Sequence, residues 1–266
     1  MTKLHTSSYG NASKPALVLV HGWGAHSGVW QTVLPVLEKE FYITCIDLPG
    51  HGHSPELTSN NLETWAAAAL DAAPEKAIWL GWSLGGLVAQ CVTAKANDRV
   101  EKLILLASTA KFVASQDWQN AVAEEVFSAF HAEVIRDPSA SLLRFIALQT
   151  RGSKTATEDN RILRKTLLHA EPKAAALDAG MQLLLTTDLR KQASDIACPV
   201  LVLGGERDTL IPNKALSVMS ELFSNAEFSV IQQAGHAPFL SHADEFIQAI
   251  TNFCFKDVTK QYKVAK

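Results

Sequence analysis

The chain predicts an α/β fold, a mostly parallel sheet flanked by helices on both faces, with a helical cap inserted over the sheet. Three observations lead there. Short apolar runs rich in β-branched residues recur along the chain. Longer amphipathic stretches alternate with them, as crossovers between parallel strands require. Between about Lys111 and Arg190 the alternation stops and only helical patterns remain.

The runs 16–20, 42–46, 77–80, 103–106 and 200–203 read as strands covered on both faces, and 228–231 as a last strand. Amphipathic stretches at 62–73, 84–96 and 214–223 read as helices between them. In the middle, 118–134, 140–149, 157–169 and 173–185 all carry helical periodicity. That is far more chain than the dozen or so residues one crossover needs. The expected division is a core of residues 1–110 and 191–258, a cap of residues 111–190, and a tail, 259–266, that frays.

Composition excludes several classes. With 47% hydrophobic and 19% charged residues, the 266-residue chain resembles an ordinary globular protein long enough for one large core or two modest ones. A net charge of −3 gives no reason to expect nucleic-acid binding. No apolar run approaches the roughly 18 residues of a membrane span, and the first residues lack a signal-peptide core. A cytoplasmic monomer with no membrane contact is the expectation. Cys45, Cys91, Cys198 and Cys254 lie far apart with no C-x-x-C spacing, so no metal or redox motif is read, and no cofactor is expected.

The chemistry is concentrated in three places. Gly81-Trp82-Ser83-Leu84-Gly85 is a G-x-S-x-G stretch directly after an apolar run and directly before a helical one. That context makes a nucleophile elbow, a strained strand-to-helix turn that lifts the serine hydroxyl above the sheet. Glycines flank it because side chains there would collide as the backbone doubles back. The turn also aims a helix N-terminus and the Leu84 amide at the reacting centre. At the end of the 16–20 run, His21-Gly22-Trp23-Gly24 offers the Trp23 amide as a second oxyanion donor. Each such donor lowers a barrier by about 3 kcal/mol. His21 reads as a brace for its loop, with a general base as the alternative.

Asp208 follows the 200–203 run and His236 follows the last one, so both fall at strand ends near Ser83. A serine hydroxyl does not ionise unaided at neutral pH. His236 would accept its proton, and Asp208 would hold the imidazole tautomer. Glu206 is the competing acid; the D-x-x-x-P spacing to Pro212 favours Asp208. His5, His26, His51, His53, His131, His169 and His242 lack a strand-end context and read as surface or loop residues.

With these residues in place the chain resembles the α/β-hydrolase superfamily, whose members carry Ser, Asp and His in this order. Asp47-Leu48-Pro49-Gly50-His51-Gly52-His53-Ser54 is similar to the D-x-P-G-x-G-x-S loop common there. The closer resemblance is to the pimeloyl-[acyl-carrier-protein] methyl ester esterases of biotin synthesis. It is carried by Val20 to Gly24, Lys76 to Ala89, Arg144 to Thr150 and Ala237 to Phe239. It implies a serine carboxylesterase of the α/β-hydrolase fold that releases methanol from a pimeloyl methyl ester held on acyl carrier protein. It further implies oxyanion positions at Trp23 and Leu84 and a pocket of Trp23, Trp82, Phe112, Phe145 and Gln149.

Charge in the cap fits that partner. Residues 140–175 hold Arg144, Arg151, Lys154, Arg161, Arg164, Lys165 and Lys173 against Glu158, Asp159 and Glu171, in a chain that is negative overall. Arg144, Arg151, Lys154, Arg161 and Arg164 are the candidate docking residues for an acidic carrier protein. A solvated helical face is the alternative. Ala140 and Thr157 stand where the resemblance would allow arginine. Three other functions stay open: a broad carboxylesterase on small free esters, a carbon–carbon bond hydrolase with the same triad, and a non-catalytic binding protein on this fold.

Overall fold

The computed structural model of the chain describes residues 3–153 and 155–263. Seven strands, β1 (Thr6–Tyr9), β2 (Ala16–Val20), β3 (Tyr42–Ile46), β4 (Ala77–Trp82), β5 (Val100–Leu106), β6 (Val200–Gly205) and β7 (Ala226–Ile231), form one sheet. Their order is β1-β3-β2-β4-β5-β6-β7. β1 runs antiparallel to β3 and every other pair is parallel. The chain goes from β2 to β3 on one side, then returns to place β4 on the other. The loops after β2 and β4 therefore part at a topological switch point, where open α/β sheets place their ligands.

The helices are α1 (Leu34–Leu37), α2 (Leu62–Ala72), α3 (Leu84–Lys95), α4 (Glu124–Arg136), α5 (Pro138–Thr150), α6 (Ala156–Leu167), α7 (Ala174–Thr186), α8 (Asn213–Ser220), α9 (Pro238–Ser241) and α10 (Ala243–Lys263). Local chemistry starts several of them. Asn61 accepts the Thr64 N–H at 2.8 Å to cap α2. Asp137 accepts the Ala140 N–H at 3.0 Å beside Pro138, in the first turn of α5. β4 and β6 are buried along their whole length. α3 buries ten of its twelve residues, which accounts for a sequence apolar nearly all round.

Helices α4 to α7 fall between β5 and β6 and form the inserted cap. Its ties run to loops at the carboxyl ends of β2 and β3. The Trp23 indole N–H donates to Leu177 O of α7 at 2.8 Å, and His26 Nε2–H donates to Thr166 O of α6 at 3.0 Å. The Lys173 N–H donates to Gly50 O at 3.0 Å. Near the two ends of the insertion, Arg190 forms ion pairs with Asp117 (3.0 Å) and Asp188 (2.7 Å) and lies over the Trp118 ring. These contacts hold the Asp188 carboxyl down at about 2, chiefly through the Arg190 hydrogen bonds.

Two expectations need correction. The edge strand β1 was not foreseen, because Thr6-Ser7-Ser8-Tyr9 has no apolar run and is half exposed. The first cap helix starts at Glu124, not Trp118. Residues before it form short bridges, Val113 to Val122 and Ser115 to Trp118, and the Trp118 indole N–H donates to Lys111 O. Helix α10 runs through Lys263, and residues 264–266 of the expected tail, 259–266, lie outside the described residues.

Buried polar groups lock the loops after β2 and β3. His21 Nδ1–H donates to Gly22 O at 2.8 Å, and its Nε2 accepts the Leu48 N–H at 2.9 Å. Asp47 accepts the N–H groups of Ser27 (2.7 Å) and His53 (3.0 Å), and Ser54 Oγ–H donates to Asp47 O at 2.6 Å. His51 occupies a loop yet is fully buried, with Nδ1–H donating to Pro49 O at 2.9 Å. Burial holds both rings neutral, with His21 well below the ordinary imidazole value and His51 down at about 4.

An unfolded chain takes up these protons as pH falls below 6.5, whereas folded His51 waits until about 4. Stability should therefore rise with pH across that window and be lost on acidification. Urea melts between pH 4.5 and 7 should show a shallower pH slope for His51→Gln than for wild type; an identical slope would contradict this source. Arg190→Lys, which loses the planar fork, should cost about 1 kcal/mol in the same melts. A neutral result would show that the clasp at the cap's ends is not stabilising.

Candidate active site

Ser83 stands at the turn from β4 into α3 with φ 54° and ψ −118°, a conformation disfavoured for a residue with a side chain. The surroundings enforce it. The Ser83 N–H donates to Leu106 O at 2.9 Å, and Ser83 O accepts the Gly86 N–H (2.9 Å) and Ser108 Oγ–H (2.7 Å). A Cβ on Gly81 would land on the Gly85 carbonyl, and one on Gly85 would land on the carbonyls of Val20 and His21. Only glycine lets α3, β4 and the loop after β2 come this close.

Asp208 and His236 arrive from the loops after β6 and β7. His236 Nδ1–H donates to Asp208 Oδ2 at 2.8 Å, with both side chains buried. The other carboxylate oxygen accepts the N–H groups of Leu210 (2.8 Å) and Ile211 (3.0 Å). Three donors thus hold the carboxylate in place. The Trp82 indole N–H donates to His236 O at 2.9 Å and pins the backbone of His236 to β4. Glu206 is exposed and its carboxylate accepts the Gln233 N–H at 2.8 Å, so Asp208, not Glu206, meets the imidazole. His236 Nε2 is buried with no hydrogen-bond partner among the described residues.

Ser83 and His236 both line a cavity of about 480 Å³. Most of its wall is apolar: Phe112, Phe127, Phe130 and Phe145, with Leu148, Met181, Leu184 and Leu210. Glu125, Glu133 and Arg144 are its charged residues. Neither the Trp23 N–H nor the Leu84 N–H donates to a protein acceptor among the described residues. Gly22 packs against Ser83, with an added Cβ only 3.2 Å from the Ser83 Cβ, so the Trp23 loop abuts the serine turn.

Not every expected pocket residue reaches the wall. Phe112 and Phe145 do. Trp23, Trp82 and Gln149 are fully buried and lie off it. The Trp23 ring backs Phe145 (centroids 4.9 Å apart) and Phe130 (5.7 Å), and Trp82 packs on Phe239 at 4.9 Å. Phe127, Phe130, Met181 and Leu184 were missed. The apolar positions of α4 and α7 signalled burial, but the partner they face is set by how the cap closes.

The basic residues of the cap divide into two kinds. Arg144 pairs with Glu133 at 2.6 Å, and Arg161 pairs with Glu158 through Nε (2.8 Å) and Nη2 (2.5 Å). Arg151 and Arg164 are exposed and form no ion pair with the described residues. Lys154 lies outside the described residues. No group of three or more His, Cys, Asp or Glu among the described residues could hold a metal ion. No helix among them is long and apolar enough to cross a membrane.

Comparison with known proteins agrees with this architecture. Residues 15–243 match the model of the alpha/beta hydrolase fold family. The chain is 40% identical over 253 residues to a pimeloyl-[acyl-carrier protein] methyl ester esterase of Vibrio parahaemolyticus, covering 95% of this chain and 98% of the relative. It is 41% identical over 240 residues to the protein of that name from Xanthomonas campestris pv. campestris, covering 90% and 94%. Among solved structures, a thermophilic esterase from Thermogutta terrifontis superposes with a TM-score of 0.80 at 25% identity, covering 95% and 93%. An enol-lactonase from Burkholderia xenovorans LB400, at 20% identity, a TM-score of 0.82 and coverage of 94% and 96%, shares the fold alone. A strained serine elbow, an Asp–His pair at neighbouring strand ends and near-full-length similarity converge: this chain is a hydrolase of the α/β-hydrolase family, grouped with the pimeloyl-[acyl-carrier protein] methyl ester esterases.

Proposed function

We propose that Ser83, His236 and Asp208 form a catalytic triad that hydrolyses the methyl ester of a pimeloyl group carried on acyl carrier protein. The observation that carries this reading is the imidazole itself. It is bonded to Asp208 through Nδ1 and presents an unpartnered Nε2 in the cavity that Ser83 also lines. Nδ1 carries the proton, so Nε2 is the basic nitrogen.

In the reaction, the Ser83 hydroxyl attacks the ester carbonyl while His236 Nε2 takes its proton. The carbonyl oxygen gains the negative charge and accepts the amides of Trp23 and Leu84, beside the N-terminus of α3. Collapse breaks the bond to methoxide, which leaves as methanol with the proton from His236. Water, deprotonated by the same nitrogen, then attacks the acyl-serine, and Ser83 regains its proton as the carboxylate departs. Asp208 stabilises the imidazolium in both halves. A serine with φ 54° puts its side chain on the cavity side of the turn, so the strain serves positioning.

The substrate assignment is supported by the 40%-identical relatives and by the cavity's apolar wall, which suits a saturated acyl chain. The exposed Arg151 and Arg164, with Arg144 and Arg161, are the cap cations offered to an acidic carrier, the last two now paired with Glu133 and Glu158.

Mass spectrometry of a pimeloyl-carrier methyl ester should show loss of the methyl group on incubation; turnover of short free esters alone would favour a broad carboxylesterase instead. Ser83→Ala should lower kcat by a factor on the order of 10⁶ and abolish labelling by a serine-directed phosphonate. Asp208→Asn should lower kcat by roughly 10⁴ with little change in KM, since it permits the wrong imidazole tautomer. Wild-type rates in either variant would refute the triad.

A further inference from the structure

We propose that Glu133 sets specificity by holding Arg144 at the edge of the cavity, and that the phosphate of an incoming carrier arm displaces Glu133 to engage Arg144. This rests on the carrier reading above.

Glu133 lies on α4 and Arg144 on α5, and both line the cavity that holds Ser83 and His236. Arg144 Nη1–H donates to Glu133 Oε2 at 2.6 Å, so the pair joins two walls of one cavity. The Arg144 side chain is 64% exposed and that of Glu133 32%, which places the pair at the rim. An acyl chain whose ester reaches Ser83 must carry its other end, where the arm is attached, out past such a rim.

The guanidinium has five N–H donors, and Glu133 engages it only through Nη1. Donors remain for an anion with two oxygens, the geometry arginine serves best. Among the described residues, Arg144 is also the one Lys or Arg on the cavity wall, against Glu125 and Glu133. An anion therefore meets a wall that is net negative until Glu133 is displaced. The exchange is feasible because an exposed ion pair is weak. Arg161 offers no equivalent device: Glu158 holds it within α6, away from the cavity wall.

The test compares three methyl esters of pimeloyl thioesters: on carrier protein, on phosphopantetheine and on pantetheine. Each is assayed with wild type, Glu133→Gln, Glu133→Asp, Arg144→Gln and the double variant Glu133→Gln/Arg144→Gln. Glu133→Gln should raise the ratio of kcat/KM for phosphopantetheine over pantetheine by roughly two- to five-fold, through KM. Glu133→Asp, one methylene shorter, should move it the same way by less. Arg144→Gln should cancel the gain in the double variant. An unchanged or lowered ratio in both Glu133 variants, or a gain that survives in the double variant, overturns the exchange. A gain confined to whole carrier protein overturns the phosphate assignment in favour of carrier carboxylates. Equal wild-type rates on all three esters would defeat the carrier reading and this proposal with it, whereas carrier preference with an unmoved ratio defeats the exchange alone.

Discussion

The reversal of the chain at Ser83 is the constraint on which the rest of the structure depends. β4 must end, turn through a left-handed residue and begin α3 within a few atoms of the loop after β2. A serine at φ 54° costs on the order of 1–3 kcal/mol, and only an over-determined neighbourhood can hold it there. That neighbourhood is supplied by Leu106 O, the Gly86 amide and the Ser108 hydroxyl, which fix both backbone polar groups of the serine. Gly81 and Gly85 remove the atoms that would otherwise keep helix, strand and loop apart. The position of the hydroxyl, the aim of the α3 N-terminus and the nearness of the Trp23 amide all follow from that one turn.

Around it, the protein uses buried neutral groups in place of charges. His21 and His51 are held uncharged by burial; His21 braces its own loop through Nδ1 and ties it to the loop after β3 through Nε2. Asp47 completes that work by accepting backbone N–H groups from two further segments. The acid beside His236, Asp208, is buried as well, but its oxygens receive three donors, so its desolvation is compensated. This hydrogen-bonded floor, with His236 Nε2 left unpartnered, then faces a cavity whose walls are largely aromatic and aliphatic.

The cap turns this floor into a pocket. It is anchored by a few polar contacts of high value: the Trp23 indole on Leu177 O, the His26 ring on Thr166 O, and the Arg190 clasp at the ends of the insertion. Between these anchors, α4 is the least buried of the cap helices, with Val134 alone fully buried. Its Val126, Phe127, Ala129 and Phe130 line the cavity. This division sets a tightly hydrogen-bonded floor around Ser83 and His236 beneath a more lightly packed wall.

Much of the fold is legible in the chain alone. Strands β2 to β6 announce themselves because strands covered on both faces carry continuous apolar runs, the edge strand β7 only through its short 228–231 run, and the serine turn because no other residues than glycine fit around it. Asp208 and His236 were found by their positions at strand ends. β1 was not, since an edge strand needs no apolar run, and the Trp118 segment was misread because a tryptophan in a polar stretch has helical spacing by accident. The repeat of Phe246, Ile250 and Phe253 marked α10 and could have been read. Other facts had no local signal at all. That Trp23, Trp82 and Gln149 stand behind the cavity while Phe127 and Phe130 line it depends on how far the cap descends. That Asp208 rather than Glu206 meets His236, and that Arg144 is held by Glu133, depends on where loops distant in sequence come to rest. Local backbone sterics and burial patterns are written residue by residue and can be read from the chain; the pairing of side chains across elements is a property of the packed whole, because it arises only when those elements share one interior.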